Sequence, residues 1–348
     1  MATIRDIAKR AGVSVATVSR TLSDPEAVRP VTRERVLLAI EQMKYTPNAI
    51  ARQLRRRRNE TVIVIVPQIA NPFFSGIVQS IENVAIQLGY RVLLGETQGN
   101  QERLDHYADM VLTRVADGLI LLGSLLPSVV RRSMEARHVP PIPLVLACER
   151  FEGLDCPTVS IDNVTAGELA VRHLAERGCK RIATITGPLD NTLSQDRLTG
   201  YRRALAAARL PLDPHWVVEG DFSIDSGRSA MEQLLDAGAV PDGVFCANDE
   251  MAIGAQQAIR ARGLAIPGDI ALVGFDDLRF GAFAAPPLTT IRQPTTELGE
   301  TAMRLLDAVL HHREIADQTV VLPHQLIERE STDRGECAQH IARVKQIR

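Results

Sequence analysis

The sequence lacks the short motifs that mark the commonest metal, nucleotide and hydrolase sites. Its five cysteines are scattered and never form a C-x-x-C pair, so we expect neither a zinc site nor a disulfide framework. H-E-x-x-H, G-x-S-x-G, G-x-x-x-x-G-K-[ST] and G-x-G-x-x-G are absent as well. These absences argue against an enzyme, and we expect no catalytic residues, no metal and no cofactor.

Long apolar segments are also missing. No stretch approaches 18 uninterrupted apolar residues, so no transmembrane helix is expected. The opening residues, MATIRDIAKRAGVS, lack the apolar stretch of a secretory signal, so we expect a cytoplasmic protein. With 45% hydrophobic and 24% charged residues, the composition excludes a disordered or fibrous chain. A length of 348 residues fits one large domain or two to three smaller ones.

The net charge of −2 hides an uneven distribution. The first 60 residues carry 13 Lys and Arg against 6 Asp and Glu, whereas the rest of the chain carries 27 against 36. The basic segment has Tyr45 as its one aromatic residue. A basic head on an acidic body predicts a polyanionic partner for the head alone.

Apolar residues in the head follow helical spacing. From Ile4 they recur at i, i+3, i+4 and i+7, and Thr3 is placed to cap this helix. Gly12 breaks the pattern, Ser14 can cap a second helix, and a third helix is expected after Thr32. Two short helices joined by a glycine-containing turn, with a third in support, predict a helix-turn-helix unit. The alternative is a three-helix bundle whose charges are merely solvated.

The second of these helices carries the candidates for reading DNA. In a helix-turn-helix unit, the N-terminal residues of the second helix meet base edges in the major groove. Arg20 can pair with guanine O6 and N7, whereas Val15 and Ala16 offer apolar contacts to the thymine methyl group. Thr17 and Ser19 suit phosphates, which fix the register but carry no sequence information.

A basic segment, YTPNAIARQLRRRRN at residues 45–59, follows the head. It suits a helix so short that we expect it to order only against DNA or a dimer partner. Leu54 lies among basic residues, which suits an apolar wedge in the minor groove. Arg55 and the three arginines after it offer phosphate contacts, with a flexible basic linker as the alternative.

From Thr61 onward, short β-branched runs alternate with helix-like stretches. The runs form two similar series: TVIVIVP, YRVLLGE, DGLILLG and PLVLAC, then KRIATITG, HWVVEGD, DGVFCAND and DIALVGFDD. This alternation predicts two α/β subdomains with doubly wound parallel sheets. Ligands bind beyond the carboxyl ends of such strands, so a cleft between the sheets is the expected site for a small molecule.

Residues that follow these strands are the candidates for the cleft. An arginine, carboxylates, amides and aromatic faces together suit a polyhydroxyl or heterocyclic ligand. The alternatives are core packing for Phe74, helix capping for Asp249 and Asp277, and a structural ion pair for Arg197. The candidate effector-binding residues are Phe73, Phe74, Asn191, Arg197, Phe222, Asn248 and Asp276.

The segments ATIRDIAKRAGVSVATVSRTLS and YTPNAIARQLR resemble the head and hinge of the LacI/GalR family of bacterial transcriptional regulators. The resemblance continues through ANPFFSGIVQSIE, IDNVTAG, ANDEMAIGA and PPLTTIRQP and covers about residues 2–332. It implies a homodimer on double-stranded operator DNA, with Leu54 as the intercalating residue. The DNA-binding candidates are accordingly Thr3, Val15, Ala16, Thr17, Ser19, Arg20, Asn48, Ala51, Leu54 and Arg55.

The resemblance also implies a division of the chain into an all-α head and a periplasmic-binding-protein-like core. The expected parts are a helix-turn-helix domain at 1–46, a hinge helix and linker at 47–60, a ligand-binding core at 61–332 and a C-terminal tail at 333–348. Within the core, we expect an N-subdomain at about 61–160 and 294–322, and a C-subdomain at about 161–293 and 323–332.

Within the family, IVPQIANPFFSGIVQSIE, LILLGSLLP and CPTVSIDN are similar to the cytidine-responsive branch, followed by the purine-responsive one. Asn191 and Leu193 stand where the purine-responsive branch has polar ligand contacts, which weighs against a purine base. The interpretation is a repressor that a nucleoside-like effector releases from a palindromic operator. The alternatives are a sugar- or purine-responsive repressor of the same family, a solute-binding transport protein, and an enzyme of sugar or nucleoside metabolism.

Overall fold

The computed structural model describes residues 2–23, 25–45, 59–136, 138, 140–238 and 240–334. The chain divides into two compact units, Met1–Asn59 and Glu60–Arg348, which are called the head and the core below. The candidates Asn48, Ala51, Leu54 and Arg55 lie outside the described residues. Within the described ranges, no helix combines the length and hydropathy that crossing a bilayer requires.

Within residues 2–45, the head contains three α-helices: α1 (Ile4–Ala11), α2 (Val15–Ser23) and α3 (Pro30–Gln42). Thr3 caps α1, as its spacing predicts, because its Oγ1 accepts a hydrogen bond from the Asp6 amide at 3.3 Å. The Asp6 carboxylate accepts from the Thr3 amide at 2.9 Å, which completes a capping box. Gly12 then ends α1 with a φ of 63°, a left-handed conformation that glycine adopts without strain.

The other two helices close the small core of the head. Ser14 caps α2, because its Oγ accepts a hydrogen bond from the Thr17 amide at 3.1 Å. The predicted start of the third helix after Thr32 is wrong, since α3 begins at Pro30. Proline suits that first position because its missing N–H needs no partner there. The largest fully buried side chains of this core, one from each helix, are Ile7, Val18 and Val36.

The core contains two six-stranded sheets. Strands and helices alternate along the described part of the chain as β1 (Thr61–Val66), α4 (Pro72–Gln87), β2 (Arg91–Glu96), α5 (Gln101–Leu112), β3 (Gly118–Leu121), α6 (Ser128–Glu135), β4 (Leu144–Ala147), β5 (Thr158–Ile161), α7 (Asn163–Glu176), β6 (Ile182–Thr186), α8 (Thr192–Ala207), β7 (Val217–Glu219), α9 (Ile224–Asp236), β8 (Gly243–Cys246), α10 (Asp249–Ala261), β9 (Ala271–Asp276), β10 (Thr289–Arg292), α11 (Thr295–Leu310), β11 (Thr319–Leu322) and β12 (Gln325–Ile327). The doubly wound α/β architecture predicted from the alternation is confirmed.

The first sheet has the strand order β11-β5-β4-β3-β1-β2, and all of its pairs are parallel. Helices α4 and α11 cover one face, and α5 and α6 cover the other. All six residues of β1 are buried, as expected for a strand covered on both faces. Edge strand β2 departs from that pattern, because Leu93 and Leu94 remain 40% and 44% exposed.

The second sheet has the order β12-β10-β9-β8-β6-β7. Helices α7 and α8 cover one face, and α9 and α10 cover the other. Its strands are parallel except β12, which runs antiparallel to β10 and so departs from the predicted all-parallel arrangement.

Within residues 59–334, the chain passes between the two sheets three times. The passages lie between β5 and α7, between β10 and α11, and between β11 and β12. Asp277 ties this region together, because its carboxylate pairs with Arg292 and with Arg329, each at 2.6 Å. The interpretation of Asp277 as a helix cap is therefore wrong. It forms ion pairs because Arg292, at the end of β10, and Arg329, just after β12, lie beside it.

Helices α7 and α8 approach so closely that glycine is required at their contact. A Cβ on Gly200 would overlap the carbonyl oxygen of Val164, and one on Gly167 would lie 2.6 Å from the carbonyl oxygen of Arg197. Both obstacles are backbone atoms, which cannot move aside without shifting a helix. The close contact fixes where Arg197 is held on α8.

Replacing Gly200 with alanine should destabilise the core by about 1–3 kcal/mol through overpacking. Helix propensity alone predicts the opposite sign, a gain of about 1 kcal/mol. Urea unfolding followed by circular dichroism measures the difference. Arg203→Ala, at an exposed position of the same helix, is the control and should change stability by less than about 0.5 kcal/mol. A Gly200→Ala variant as stable as the control would contradict the packing argument.

Candidate effector-binding site

A cavity of about 350 Å³ lies between the two sheets of the core. Loops that follow the carboxyl ends of β1, β3 and β4 form one wall, and loops after β6, β7 and β8 face them. This volume falls in the range of small-molecule sites in proteins. The cavity brings together all seven of the candidate residues: Phe73, Phe74, Asn191, Arg197, Phe222, Asn248 and Asp276.

Arg197 is buried on α8 and held by two neutral partners. Its Nε donates to Asn163 Oδ1 at 2.9 Å, and its NH1 donates to the carbonyl oxygen of Ala247 at 2.5 Å. The guanidinium carbon also lies 3.6 Å from the ring centre of Phe275, in a cation–π contact. Burial lowers the pKa of Arg197, and the nearby carboxyl group of Asp276 opposes this shift. Among the described residues, no carboxylate forms a direct ion pair with Arg197, so the structural ion-pair alternative is wrong.

Asp276 ends β9 in a strained backbone conformation with a φ of 108°. Its Oδ1 accepts a hydrogen bond from Gln293 Nε2 at 2.7 Å. Gln293 directly follows β10, where the chain leaves the second sheet. Burial raises the pKa of Asp276 to about 7, while Arg197 acts to lower it. The cavity therefore contains a carboxyl group that exchanges its proton near neutral pH.

Asn248 and Phe222 are fixed together. Asn248 caps α10 by accepting from the Met251 amide at 2.9 Å, and its Nδ2 donates to the carbonyl oxygen of Phe222 at 2.8 Å. The Phe222 ring lies over Gly187, where any Cβ would overlap the ring. The interpretation of Asp249 as the helix cap is wrong, because Asn248 takes that role. Asp249 is fully buried and accepts from the Leu278 amide and the Thr290 hydroxyl.

Phe73 and Phe74 begin α4 on the opposite wall. Their rings meet edge to face, with centroids 5.2 Å apart, and both line the cavity. Asn71 caps the helix by accepting from the Phe73 amide at 2.9 Å. Phe73 is buried and belongs to the core of the first sheet, whereas Phe74 is only partly buried against that core. Core packing therefore involves Phe73 more than Phe74, whereas the sequence predicted core packing for Phe74 rather than for Phe73.

Sequence reasoning missed Glu149, which lies 6% exposed in the cavity wall after β4. Its Oε1 accepts a hydrogen bond from Asn191 Nδ2 at 3.0 Å, so the pair bridges the two walls. Burial raises the pKa of Glu149 to about 7. The rule that selected the other candidates would have found it, but the apolar run PLVLAC extends past the strand end at Ala147.

In the head, the predicted DNA-reading residues share α2. Ala16 and Arg20, four residues apart, are both exposed, as a face that meets DNA must be. Val15, Thr17 and Ser19 are partly buried. The hydroxyl of Thr17 lies 2.9 Å from that of Ser14, so it already has a partner at the start of the helix. Thr3 serves as the cap of α1 and is exposed there.

Comparison with known proteins identifies both units. The model for bacterial regulatory proteins of the lacI family matches residues 3–48, and that for a periplasmic binding protein-like domain matches residues 171–332. Over 331 residues, the chain is 41% identical to the HTH-type transcriptional repressor CytR of Escherichia coli (strain K12), covering 95% of this chain and 96% of the relative. The chain belongs to the lacI family of bacterial regulatory proteins.

Other relatives agree with this assignment. The ribose operon repressor of Escherichia coli (strain K12) is 36% identical over 332 residues, covering 95% of this chain and all of the relative. The lac repressor dimer bound to operator and an anti-inducer superposes with a TM-score of 0.84 at 30% identity, covering 95% and 99% of the two chains. A complex of the transcriptional regulator CelR with cellobiose gives 0.72 at 35% identity, covering 95% and 100%. The predicted family is confirmed, and these relatives are transcriptional repressors and a transcriptional regulator rather than enzymes.

Replacing Asp276 with asparagine should reduce the pH dependence of core stability and leave the part that Glu149 contributes. Since the folded-state pKa of about 7 lies above the usual value of 3.8, the folded core binds an extra proton between these two values. Stability is therefore lost as the pH rises towards 7, and asparagine removes that loss. Between pH 5 and pH 8 the wild type should lose about 1–3 kcal/mol more than the variant. Urea midpoints at the two pH values measure this.

Asp155→Asn is the matched control for this experiment, because Asp155 is exposed on a loop of the same core. It should keep the pH dependence of the wild type. If Asp276→Asn lost as much stability between pH 5 and pH 8 as the control does, the raised pKa of Asp276 would be contradicted.

Proposed function

We propose that this ligand-responsive repressor binds a palindromic operator as a homodimer and is released from it by a nucleoside-like effector. The observation that carries the proposal is the cavity between the two sheets, which Arg197, Asp276 and two aromatic walls line together. A head with the capping and core of a helix-turn-helix unit supports the DNA-binding half.

On the DNA side, the proposal rests on α2. Arg20 is exposed on this helix and can form two parallel hydrogen bonds with a guanine edge. Ala16 lies one turn earlier on the same face and suits contact with a thymine methyl group. The basic charge of the head adds a salt-dependent attraction to phosphates. These residues would set the operator sequence, and two copies would read its two halves.

On the effector side, the cavity has the chemistry of a nucleoside site. Phe73 and Phe222 face it from opposite walls and can stack on a planar base. Asp276 and Arg197 offer an acceptor and a fixed donor for ribose hydroxyls. The similarity to CytR over 95% of the chain favours the same class of effector.

A sugar is the second candidate for the effector. The ribose operon repressor and the cellobiose-bound CelR regulator are both similar to this chain over 95% of its length. Arg197, Asp276 and Asn248 also suit a polyhydroxyl ligand that carries no base. Phenylalanines on opposite walls of the cavity favour the nucleoside, because a planar base can stack on both of its faces.

Coupling between the effector and DNA would arise from closure of the cavity. Asn191 and Glu149 already join the walls by one hydrogen bond, and Asp276 joins Gln293 beside the passage between the sheets. An effector that binds one arrangement of the walls more tightly shifts the population towards it. The change in operator affinity is limited by that difference in effector affinity.

Arg20→Ala should weaken specific operator binding by about tenfold or more and relax the preferred sequence at one position of each half-site. Selection from a random DNA pool with the full-length wild type supplies the operator, and fluorescence anisotropy measures affinity. Arg203→Ala, in the core, is the control and should bind like the wild type. A selected sequence without dyad symmetry would contradict binding as a dimer.

The wild type should bind nucleosides with affinities in the micromolar range or tighter and should then release the selected operator. Isothermal titration with cytidine, uridine, adenosine, ribose and cellobiose identifies the class of effector. Arg197→Lys keeps the charge but loses the paired donors, and it should weaken effector binding by about tenfold or more. Binding of a sugar but of no nucleoside would decide for the second candidate.

A further inference from the structure

Glu149 and Asn191 form a hydrogen-bonded polar pair in the cavity. Neither residue is among those proposed above to stack on the base or to bind the ribose. Glu149 belongs to the loop after β4, and Asn191 precedes α8 on the opposite wall. Both side chains are buried, at 6% and 8% exposure, and both line the cavity. A buried carboxyl group beside a fixed amide is the kind of polar arrangement that distinguishes ligands of similar shape.

The orientation of the Asn191 amide is set by the helix that it caps. Its Oδ1 accepts from the Leu193 amide at 2.9 Å, so its Nδ2 must be the group that meets Glu149. Because Nδ2 only donates, Glu149 Oε1 must act as an acceptor. Within the described residues, Asn191 is the one side chain that donates a hydrogen bond to Glu149. The second lone pair of Oε1 and the whole of Oε2 remain available to a ligand.

The cavity has two buried carboxyl groups, Glu149 and Asp276, and one arginine near both of them, so one carboxylate would lack a counter-charge. Arg197 faces both Glu149 and Asp276, and Asp196 on α8 adds a further negative charge near Glu149. Cys148, on the same loop, adds none, because burial raises the pKa of its thiol. Burial also raises the pKa of Glu149 to about 7. When Glu149 is protonated, Asn191 directs the proton to Oε2, since Oε1 is already an acceptor.

On the basis of the nucleoside effector proposed above, we infer that Glu149 reads the hydrogen-bonding edge of an amino nucleobase. Oε1 accepts from the exocyclic amine, and the hydroxyl formed at Oε2 donates to the adjacent ring nitrogen. Cytosine and adenine both present this amine beside an unprotonated ring nitrogen. Uracil and hypoxanthine present a carbonyl beside an N–H, which reverses both partners. Glu149 cannot exchange its acceptor and donor oxygens to match a keto base, because Asn191 holds Oε1 as an acceptor. The pair therefore selects amino bases over keto bases.

The test compares paired nucleosides on the full-length protein. Cytidine against uridine, and adenosine against inosine, are titrated calorimetrically at pH 6 and pH 8. The amino member of at least one pair should bind about tenfold or more tightly than its keto partner at pH 6. Its affinity should fall several-fold at pH 8, because Glu149 then loses the proton that it donates.

Variants at Glu149 separate this role from a structural one. Glu149→Gln keeps an acceptor and a donor in the same places, so it should retain the amino preference and lose the part of the pH dependence that Glu149 contributes. Glu149→Leu removes both groups and should bind the two members of each pair within about threefold. Asn191→Asp still caps α8 but no longer donates to Oε1, and it should lose the preference as well. Thermal unfolding midpoints confirm that each variant is folded.

Several results would overturn the inference. If the wild type binds nucleosides but does not favour the amino member of either pair, Glu149 does not read the base, although the proposed nucleoside effector stands. If Glu149→Leu keeps the preference of the wild type, another residue makes the discrimination. If no nucleoside binds and a sugar does, both the proposed effector and this inference fail together.

Discussion

A buried guanidinium organises the core of this repressor. Arg197 donates one hydrogen bond to Asn163, at the point where the chain passes from the first sheet to the second. It donates another to the carbonyl oxygen of Ala247, just after β8. Its flat face lies against Phe275 of β9. Because no carboxylate in the described residues neutralises it directly, its charge remains available to the cavity. The passage between the sheets, the strand ends and the ligand-facing charge are thus all fixed by one side chain.

The close packing of α7 and α8 supports that arrangement. Two glycines allow the helices to approach within backbone contact, and this holds Arg197 where its three partners can reach it. The carboxyl groups of Glu149 and Asp276 then share one arginine, and burial moves their pKa values to about 7. Strongly shifted carboxyl groups gathered in one cleft are typical of a functional site.

Most of the architecture follows from local sequence patterns. Alternation of β-branched runs and helices predicts the two sheets, and the carboxyl-end rule selects residues such as Phe222 and Asp276 that the cavity brings together. It missed Glu149, because hydrophobic residues continue beyond the hydrogen-bonded strand. The sequence suggested Asp249 as the cap of α10 where the structure has Asn248, because either residue type can cap a helix and only the tertiary contacts of Asp249 decide between them. The ion pairs of Asp277 join residues 15 and 52 positions apart, and no local pattern encodes such distances.

The placement of the last two strands bears on how the protein is synthesised. Strand β11 is the edge of the first sheet and β12 the edge of the second, although only two residues separate them in the chain. Neither sheet is complete until residues 319–327 have left the ribosome, whereas the three described helices of the head end at residue 42. A chain interrupted shortly before residue 319 therefore has two sheets with open edges, at β5 and at β10. Completion of this short segment therefore covers the open edges of both sheets, which are the parts most prone to aggregation, at almost the same moment.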